Sequence, residues 1–371
     1  MSVYLDYNAT AKIRPEARAA ALAAMELGAN PSSTHAAGRR ARAVVEQARA
    51  EVAALAGART DAVTFVSGGV EANALAMWSA RADGCARVIA GATEHDCVLA
   101  SAQAAFEAVE IWPVDGQGVA DLDWLESALA RGGRTLVCLM AANNETGVIQ
   151  PLAEARALTE AAGAWLHVDA VQAAGKLTLG IRAETLALSA HKLGGPQGVG
   201  ALIAAAEATI TRALHGGGQE RGRRAGTENL SGIAGFGAAA AVAGRDLPLA
   251  ASQSRWRDRL AGRMESAGAI VLGAGAARLP QTLCVATPGF SSEVQVMGLD
   301  LAGVMVSAGA ACSSGKVKAS RVVEAMGRPD LAACSIRISG GWASSEADWI
   351  TCGEAWSAAR ETRRARLAEV A

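Results

Sequence analysis

The residues best placed to do chemistry in this chain surround a lysine at the end of an apolar run. Residues 185–188 predict a short buried strand, and Ser189, His191 and Lys192 follow it before the backbone breaks at 194–196. This pattern predicts an amine at the carboxyl edge of a sheet, where open α/β folds bind ligands. A lysine desolvated there loses its proton readily and can form a Schiff base with a carbonyl group. Pyridoxal phosphate is the cofactor that most often requires such a lysine, although an isolated lysine at a strand end is more often exposed to solvent.

Four other predicted strands also end in polar residues. Because the carboxyl ends of parallel strands meet at one edge of a sheet, we expect these residues to lie close to Lys192. For any single strand, a polar end is more often an ordinary loop residue, but so many together favour a site. The residues are Ser67-Gly68-Gly69, Thr93-Glu94-His95, Asn143-Asn144-Glu145 and Asp169.

Each of these groups has a use beside a pyridoxal ring. Gly68 and Gly69, just before a predicted helix, offer bare backbone N–H groups and a positive helix end, which suit a phosphate. Asp169 could keep the ring nitrogen protonated, and Asn144 could donate to the ring hydroxylate. His95 could stack on the face of the ring. The glycine–helix element is also used by nucleotide enzymes, but no GxxxxGK[ST] motif occurs in the chain.

The elements that must position these residues alternate between helix and strand from residue 38 to about 205. Such alternation predicts a mostly parallel sheet covered by helices on both faces. A long helical stretch is then expected around residues 230–264, followed by short strands and helices. We therefore predict a large α/β domain over 13–250, and a smaller α+β domain formed by 1–12 together with 251–371.

Composition restricts the function classes. The net charge is −1, so no overall field favours nucleic acid or a membrane surface. We see no signal peptide at the N-terminus, and the apolar stretch 229–244 is shorter than the ~20 residues of a membrane span. The seven cysteines include no CxxC pair. We expect reduced thiols in the cytoplasm, with neither a disulfide framework nor a metal site.

At this point the chain resembles a known family, the cysteine desulfurases of the NifS/IscS type within the class V aminotransferases. The resemblance covers nearly the whole length. The segments that carry it are 4–10, 30–35 (Asn30-Pro31-Ser32-Ser33-Thr34-His35), 93–95, 143–147, 167–172, 189–192, 215–222, 224–227, 307–312 and 335–339.

The resemblance implies a fold-type I transferase that depends on pyridoxal 5′-phosphate, with a mostly parallel large domain and a smaller α+β domain. Lys192 forms the Schiff base with the cofactor, and Asp169 pairs with the ring nitrogen. Contacts to the ring hydroxyl come from Asn144 and Gln172. His95 stacks on the ring and helps to move protons. The other implied roles are phosphate binding by Ser189, His191 and the 68–70 turn (Gly68, Gly69, Val70), a phosphate contact from Thr227 of the neighbouring subunit, and substrate binding by Arg337 and Asn30.

One departure from the family pattern concerns the phosphate. Val70 stands where the family usually has a threonine hydroxyl. We expect the cofactor to be held more weakly, because a hydrogen bond to a charged group contributes about 1.5–3 kcal/mol. We do not expect the cofactor to be lost, because the backbone N–H groups remain.

Cys312 lies in a run of small residues with glycines on both sides, which favours an exposed loop. Lys316 and Lys318 could lower the pKa of its thiol. The alternative is an ordinary surface cysteine. A mobile thiolate is what sulfur transfer requires, so we expect Lys192 to remove the Cα proton of L-cysteine and Cys312 to take the sulfur as a persulfide. The sulfur then passes to an iron–sulfur scaffold or another carrier.

Two alternatives remain open from the sequence. A class V aminotransferase or a selenocysteine lyase would share the cofactor residues, but a transaminase has no use for a mobile cysteine. A catalytically inactive member that acts as a binding or regulatory subunit is the second alternative, and Val70 is its only indication.

Overall fold

A seven-stranded sheet forms the centre of the larger part of the molecule. The computed structural model describes residues 2–180, 182–309 and 319–370, with side chains up to residue 365. Within these ranges no helix is both long enough and apolar enough to cross a membrane. The strands are β1 Val3–Tyr4, β2 Val63–Val66, β3 Arg87–Gly91, β4 Val109–Trp112, β5 Thr135–Met140, β6 Trp165–Asp169, β7 Thr185–Ser189, β8 Gly200–Ala204, β9 Ile270–Val271, β10 Thr282–Ala286, β11 Val304–Met305, β12 Ser307–Ala308 and β13 Ser335–Ser339.

Helices cover the sheets and connect most of the strands. Short 3-10 turns at Thr60–Ala62, Ala190–Lys192, Gln219–Gly222 and Gly244–Leu249 join other elements. The α-helices are α1 Pro15–Leu27, α2 Ala36–Ala56, α3 Gly69–Ala82, α4 Asp96–Ala105, α5 Leu122–Leu129, α6 Leu152–Ala161, α7 Leu230–Ala243, α8 Ala250–Ser266, α9 Ser292–Leu301, α10 Arg321–Ala325 and α11 Glu346–Val370.

The order of strands in the large sheet is β2-β8-β7-β6-β5-β3-β4. Strands β3 to β7 are mutually parallel, whereas β8 is antiparallel to both β7 and β2. Strand β2 therefore runs in the same direction as the parallel strands. The prediction of a mostly parallel sheet is confirmed. Every residue of β5 and of β6 is buried, as expected for strands covered by helices on both faces.

This strand order brings the five polar strand ends to one edge. Strands β2, β3, β5, β6 and β7 all point the same way, and each is followed by one of the polar groups identified from the sequence. Because β5, β6 and β7 are direct neighbours, the residues that follow them are the closest together.

A second, four-stranded antiparallel sheet has the order β12-β13-β10-β9 and packs against α8 and α9, which in turn pack against α11. The N-terminal strand β1 pairs with β11, with Val3 opposite Val304. The segment after β1 then leads to the large sheet. The division into domains at 13–250 and at 1–12 with 251–371 stays a prediction.

The predicted helical stretch over 230–264 is divided into two helices. Helix α7 ends at Ala243, and the turn Gly244–Leu249, which contains Pro248, separates it from α8. Helix α7 is apolar on all sides and is packed against α1 and α2. Its glycines allow this packing: a Cβ built on Gly237 would lie 2.5 Å from the Cα of Ala48 in α2.

We predict that Gly237→Ala lowers the free energy of unfolding by about 1–3 kcal/mol, because the added methyl group must push the two helices apart. Gly262→Ala is the matched control: Gly262 lies inside α8, and a Cβ there would have no neighbouring heavy atom within 4 Å. It should stabilise the protein by up to about 1 kcal/mol through helix propensity alone. Urea unfolding measures the free energy of unfolding of both variants. A Gly237→Ala protein as stable as the wild type would contradict the packing argument.

Candidate active site

Lys192 lies where the sequence pattern predicts it, in the short turn Ala190–Lys192 that follows β7. Its Nζ donates hydrogen bonds to the backbone oxygen of Asn8 at 2.6 Å and to that of Ala9 at 2.8 Å. The N-terminal segment also donates to the backbone beside the lysine, since the Ala11 N–H donates to the His191 carbonyl at 2.8 Å. The residues before α1 therefore close one side of the site.

Asp169 ends β6 and is buried. One of its carboxylate oxygens accepts from Asn73 Nδ2 and the other from the Val171 N–H, both at 2.9 Å. Asn73 Oδ1 lies 2.9 Å from His167 Nε2, so that nitrogen carries the hydrogen. His167 Nδ1 then accepts from the Thr185 hydroxyl at 2.9 Å. Burial lowers the pKa of His167 to about 4, so the chain of hydrogen bonds that ends on Asp169 contains a neutral imidazole.

His95 caps the N-terminus of α4, close to the same network. Its Nδ1 accepts from the Cys97 N–H at 3.2 Å and lies 3.0 Å from the Cys97 Sγ. Asn73 Nδ2 lies 3.2 Å from that sulfur. Since the backbone N–H donates to Nδ1, a neutral His95 ring carries its hydrogen on Nε2. The structure thus joins two sequence candidates, His95 and Asp169, through Asn73 and Cys97.

Glu94 is buried beside this network. One of its carboxyl oxygens accepts from the Met140 N–H at the end of β5. Burial, and then the charge of Asp169, raise the pKa of Glu94 to about 8. Arg321, from α10, donates to the backbone oxygens of Ala92 and Glu94. These bonds connect α10 with the loop between β3 and α4.

Gln172 is buried and bridges two groups of the site. Its Nε2 donates to the Asn8 carbonyl at 2.9 Å, and its Oε1 accepts from Lys176 Nζ at 2.8 Å. Burial, followed by the positive charges of Lys192 and Arg337, lowers the pKa of Lys176 to about 7.

The predicted phosphate residues lie at the same edge. A Cβ built on Gly69 would lie 3.7 Å from the Cβ of Ser189, so the turn after β2 packs against the end of β7. The side chain of Val70 is 61% exposed. His191 Nδ1 lies 3.2 Å from the Thr10 hydroxyl. Burial, and then the charges of Lys192 and Lys176, lower the pKa of His191 to about 4.

Thr227 lies on the rim of the site. It is exposed and lines a cavity of about 140 Å³ together with Ser67 and Gly198 of the same chain. Its predicted contact with the phosphate of a neighbouring subunit stays a prediction.

Arg337 is buried on β13 and lies beside Asn144. One of its nitrogens donates to the Asn144 carbonyl at 3.3 Å and another to Asp6 Oδ1 at 2.8 Å. Asp6 also accepts from the Ser307 hydroxyl at 2.8 Å. A substrate carboxylate would therefore compete with Asp6 for the guanidinium group.

Two sequence candidates are not joined to the site by described contacts. Asn30 is exposed between α1 and α2, where its Oδ1 accepts from the Ser32 N–H at 2.8 Å. Cys312 lies outside the described residues, as do Lys316 and Lys318. The residues that flank this segment do meet the site: Ser320 donates to Glu145 Oε2 at 2.5 Å, and a Cβ on Gly309 would contact the same oxygen.

Sequence reasoning missed three residues of this site: Asn73, Cys97 and Lys176. Glu94 was identified only as part of the polar group that ends at His95. Cys97 lies two residues after His95 and could have been recognised from that position, whereas Asn73 and Lys176 carry no local signal. Among the described residues, no three His, Cys, Asp or Glu side chains are grouped so that they could hold a metal ion.

The donor set fits pyridoxal 5′-phosphate. The amine of Lys192 and the buried carboxylate of Asp169 lie at the same edge of the sheet. At Gly68, in the turn between β2 and α3, a Cβ would meet no heavy atom within 4 Å, so the backbone is accessible there. The start of a 14-residue helix is a favourable place for a phosphate.

Comparison with known proteins points to one family. The family model described as aminotransferase class-V matches residues 3–348. A cysteine desulfurase of Cereibacter sphaeroides is 41% identical over 366 residues, which cover 95% of this chain and 92% of the relative.

Solved structures agree with this similarity. A NifS-like protein from Rickettsia africae has a TM-score of 0.88 and 32% identity, and the match covers 97% of this chain and all of that one. A structure of SspA in complex with cysteine has a TM-score of 0.78 and 26% identity, with 91% of this chain and 98% of that chain covered.

The pKa of Glu94 leads to a prediction about stability and pH. A carboxyl group whose pKa rises from 4.5 to about 8 on folding contributes stability that is fully present below pH 4.5 and is lost as the pH rises through 8. Glu94→Gln keeps an acceptor for the Met140 N–H and cannot ionise. Its free energy of unfolding relative to the wild type should therefore rise by more than about 1.4 kcal/mol between pH 4.5 and 8.5.

Urea unfolding of the cofactor-free protein at both pH values measures this difference. Glu107→Gln, at an exposed position, is the control for the loss of a carboxylate. A Glu94→Gln protein whose stability relative to the wild type does not change with pH would contradict the assignment.

Proposed function

Since the chain belongs to the class-V aminotransferase family, we propose that it is a cysteine desulfurase. It removes the sulfur of L-cysteine, releases L-alanine and passes the sulfur to an acceptor. The curated relative from Cereibacter sphaeroides carries the name cysteine desulfurase, and a similar solved structure holds cysteine. The observation that carries the proposal is the convergence of Lys192, Asp169 and His95 on one sheet edge.

The cofactor of this family is pyridoxal 5′-phosphate, and the residues at the edge fit it. When bound, its protonated ring accepts negative charge that develops at the Cα of an amino acid. Lys192 would hold the cofactor, and Asp169 would lie at the ring nitrogen. Gly68, Gly69, Val70, Ser189, His191 and Thr227 are proposed for the phosphate, and Asn144 and Gln172 for the ring hydroxyl.

Within this arrangement the chain's own residues move the proton. Lys192 Nζ, once free, is the base that takes the Cα proton, and the carbonyls of Asn8 and Ala9 fix where that nitrogen lies. A neutral His95 has its hydrogen on Nε2, because Nδ1 accepts from the Cys97 N–H, and Nε2–H is the group proposed to help move protons. The network of Asn73 and His167 keeps the Asp169 carboxylate in one position.

Substrate binding is proposed for Arg337, with Asn30 as a further candidate. A guanidinium group suits a planar carboxylate because it can donate two parallel hydrogen bonds. The bond to Asp6 orients Arg337 before substrate arrives, and the substrate carboxylate would take over part of the guanidinium group from Asp6.

Cys312 is proposed as the sulfur acceptor. In the overall step the Cβ–S bond of L-cysteine breaks, a new S–S bond forms on Cys312, and the products are L-alanine and a cysteine persulfide. The flanking residues support this role, since Gly309 and Ser320 both meet Glu145, the neighbour of Asn144.

The proposal extends to the protein's partners. It includes a homodimer in the cytoplasm, in which Thr227 reaches the partner's phosphate site, and an iron–sulfur scaffold or another sulfur carrier as acceptor. The exposed position of Thr227 supports the dimer, because the side chain is available to a second subunit.

The first test concerns the covalent role of Lys192. Reduction of the holoprotein with borohydride makes the bond between lysine and cofactor permanent, and mass spectrometry of the digest should find the label on the peptide that carries position 192. Lys176 serves as an internal control because it lines the same cavity. A label on position 176, or none at all, would overturn the proposal.

The second test concerns Cys312. The wild-type protein with L-cysteine and a reductant should yield equal amounts of alanine and sulfide. We expect Cys312→Ser to lower both by at least 100-fold while the cofactor stays bound, and Cys97→Ser to retain its Cys312 persulfide. Unchanged sulfide release from Cys312→Ser would exclude the persulfide step, and amino-group transfer to a keto acid would indicate an aminotransferase instead.

A further inference from the structure

Glu71 places a carboxylate in the first turn of α3, beside the turn proposed for the cofactor phosphate. Its Oε2 accepts from the Ser67 N–H at 2.7 Å, and Ser67 is the residue that leads from β2 into this turn. The positive end of a helix favours a negative charge, so the carboxylate stabilises the turn. The same end of the helix is where a phosphate is expected, and two anions at this end repel each other. A phosphate site here therefore requires a positive charge beside Glu71.

Arg224 supplies that charge. Its Nε donates to Glu71 Oε1 at 3.0 Å, and the side chains of Arg224 and Glu71 are only 25% and 21% exposed. Burial raises the pKa of Glu71, but the hydrogen bonds from Arg224 and then from Ser67 outweigh burial, and the pKa lies below its ordinary value. Glu71 is therefore ionised at neutral pH, and its charge is balanced by the arginine.

The segment that carries this arginine is held along β2 by other contacts. Glu220 accepts two hydrogen bonds from Arg49 and one from the Phe65 N–H, each at 2.8 Å, and both charged side chains are buried. The φ of Glu220 is +46°, which residues other than glycine rarely adopt, so the bidentate pair holds a strained turn in place. Arg223 donates to the Asp61 carbonyl at 2.8 Å, just before β2. The segment should thus keep its position when the ion pair at the phosphate turn is replaced.

Arg224 could favour a phosphate at this turn in two ways, by a direct bond or by neutralising Glu71. It lines the cavity of about 140 Å³ to which Ser67 and Thr227 also contribute. Its Nε is used by Glu71, and its Nη1 donates to the Ala225 carbonyl at 3.2 Å. The contacts of the guanidinium group therefore favour neutralisation over a direct bond.

We propose that Arg224 is a positioning residue of the phosphate site: it neutralises the Glu71 carboxylate, so that the turn which Glu71 stabilises can also bind a phosphate. The inference rests on the proposed binding of the cofactor phosphate at the 68–70 turn. The two side chains have opposite effects on the phosphate, since Glu71 opposes it and Arg224 removes the opposition. Loss of the Glu71 charge should therefore reverse the loss of Arg224.

The experiment measures the affinity of the full-length protein, freed of cofactor, for pyridoxal 5′-phosphate by titration of the visible absorbance. We expect Arg224→Met to weaken binding about tenfold, because it leaves the carboxylate beside the phosphate unpaired. Glu71→Gln keeps an acceptor for the Ser67 N–H and should bind at least as tightly as the wild type. The double variant should return to within about threefold of the wild type. Arg223→Met removes another cation of the same segment and is the control, with an expected change of less than about twofold.

Pyridoxal, which has the same ring and aldehyde but no phosphate, is the second ligand. Its affinity should change less than about twofold in Arg224→Met, because the neutralised charge acts on the phosphate. An equal loss of affinity for both ligands would show a general distortion of the site and would overturn the inference.

The double variant separates neutralisation from the other roles of an arginine. If it binds pyridoxal 5′-phosphate as weakly as Arg224→Met, the arginine bonds the phosphate directly or only holds the segment, and the inference is wrong. Weaker binding by Glu71→Gln would overturn it as well, even if Arg224→Met failed to fold, which thermal unfolding detects. These results leave the borohydride label on position 192 intact. A wild-type protein that binds no cofactor would instead overturn the proposed function, and this inference with it.

Discussion

Burial of the Asp169 carboxylate at the end of β6 costs free energy that its surroundings must offset, and much of the site is arranged to do so. Asn73 and the Val171 N–H each donate to it, and His167 holds Asn73 in the orientation that makes this possible. The His167 imidazole must be neutral for this arrangement. Its complete burial, on a strand between β5 and β7, lowers its pKa to about 4 and so disfavours the charged form. A fixed anion at this edge is what a cationic ring nitrogen requires.

Burial also removes charge from several neighbours. Glu94, which would repel Asp169, has a pKa of about 8 and is mostly protonated at neutral pH. His191 is neutral at the same pH. Burial thus disfavours a second negative charge beside Asp169 and a positive charge on the residue before Lys192.

The parallel sheet and the polar residues at its strand ends could be predicted from the sequence, because both depend on local sequence pattern. Strands such as β5 and β6 are rich in apolar residues and buried along their whole length, and their parallel order then brings their polar ends together. The reversal of β8 between β7 and β2 depends on tertiary pairing and leaves no local signal. Lys176 was missed for the same reason, since its position at a cavity depends on segments that are distant in the sequence. The break between α7 and α8 could have been read from Pro248, which ends helices.

The segment between β1 and α1 links the two sheets to the site. Its Tyr7 N–H donates to the Ser339 carbonyl at the end of β13, and its Asn8 N–H donates to the Ser339 hydroxyl at 3.0 Å. The carbonyl of the same Asn8 accepts from both Gln172 and Lys192. Asn8 thus connects the end of β13, which carries Arg337, with both Gln172 and the Lys192 amine.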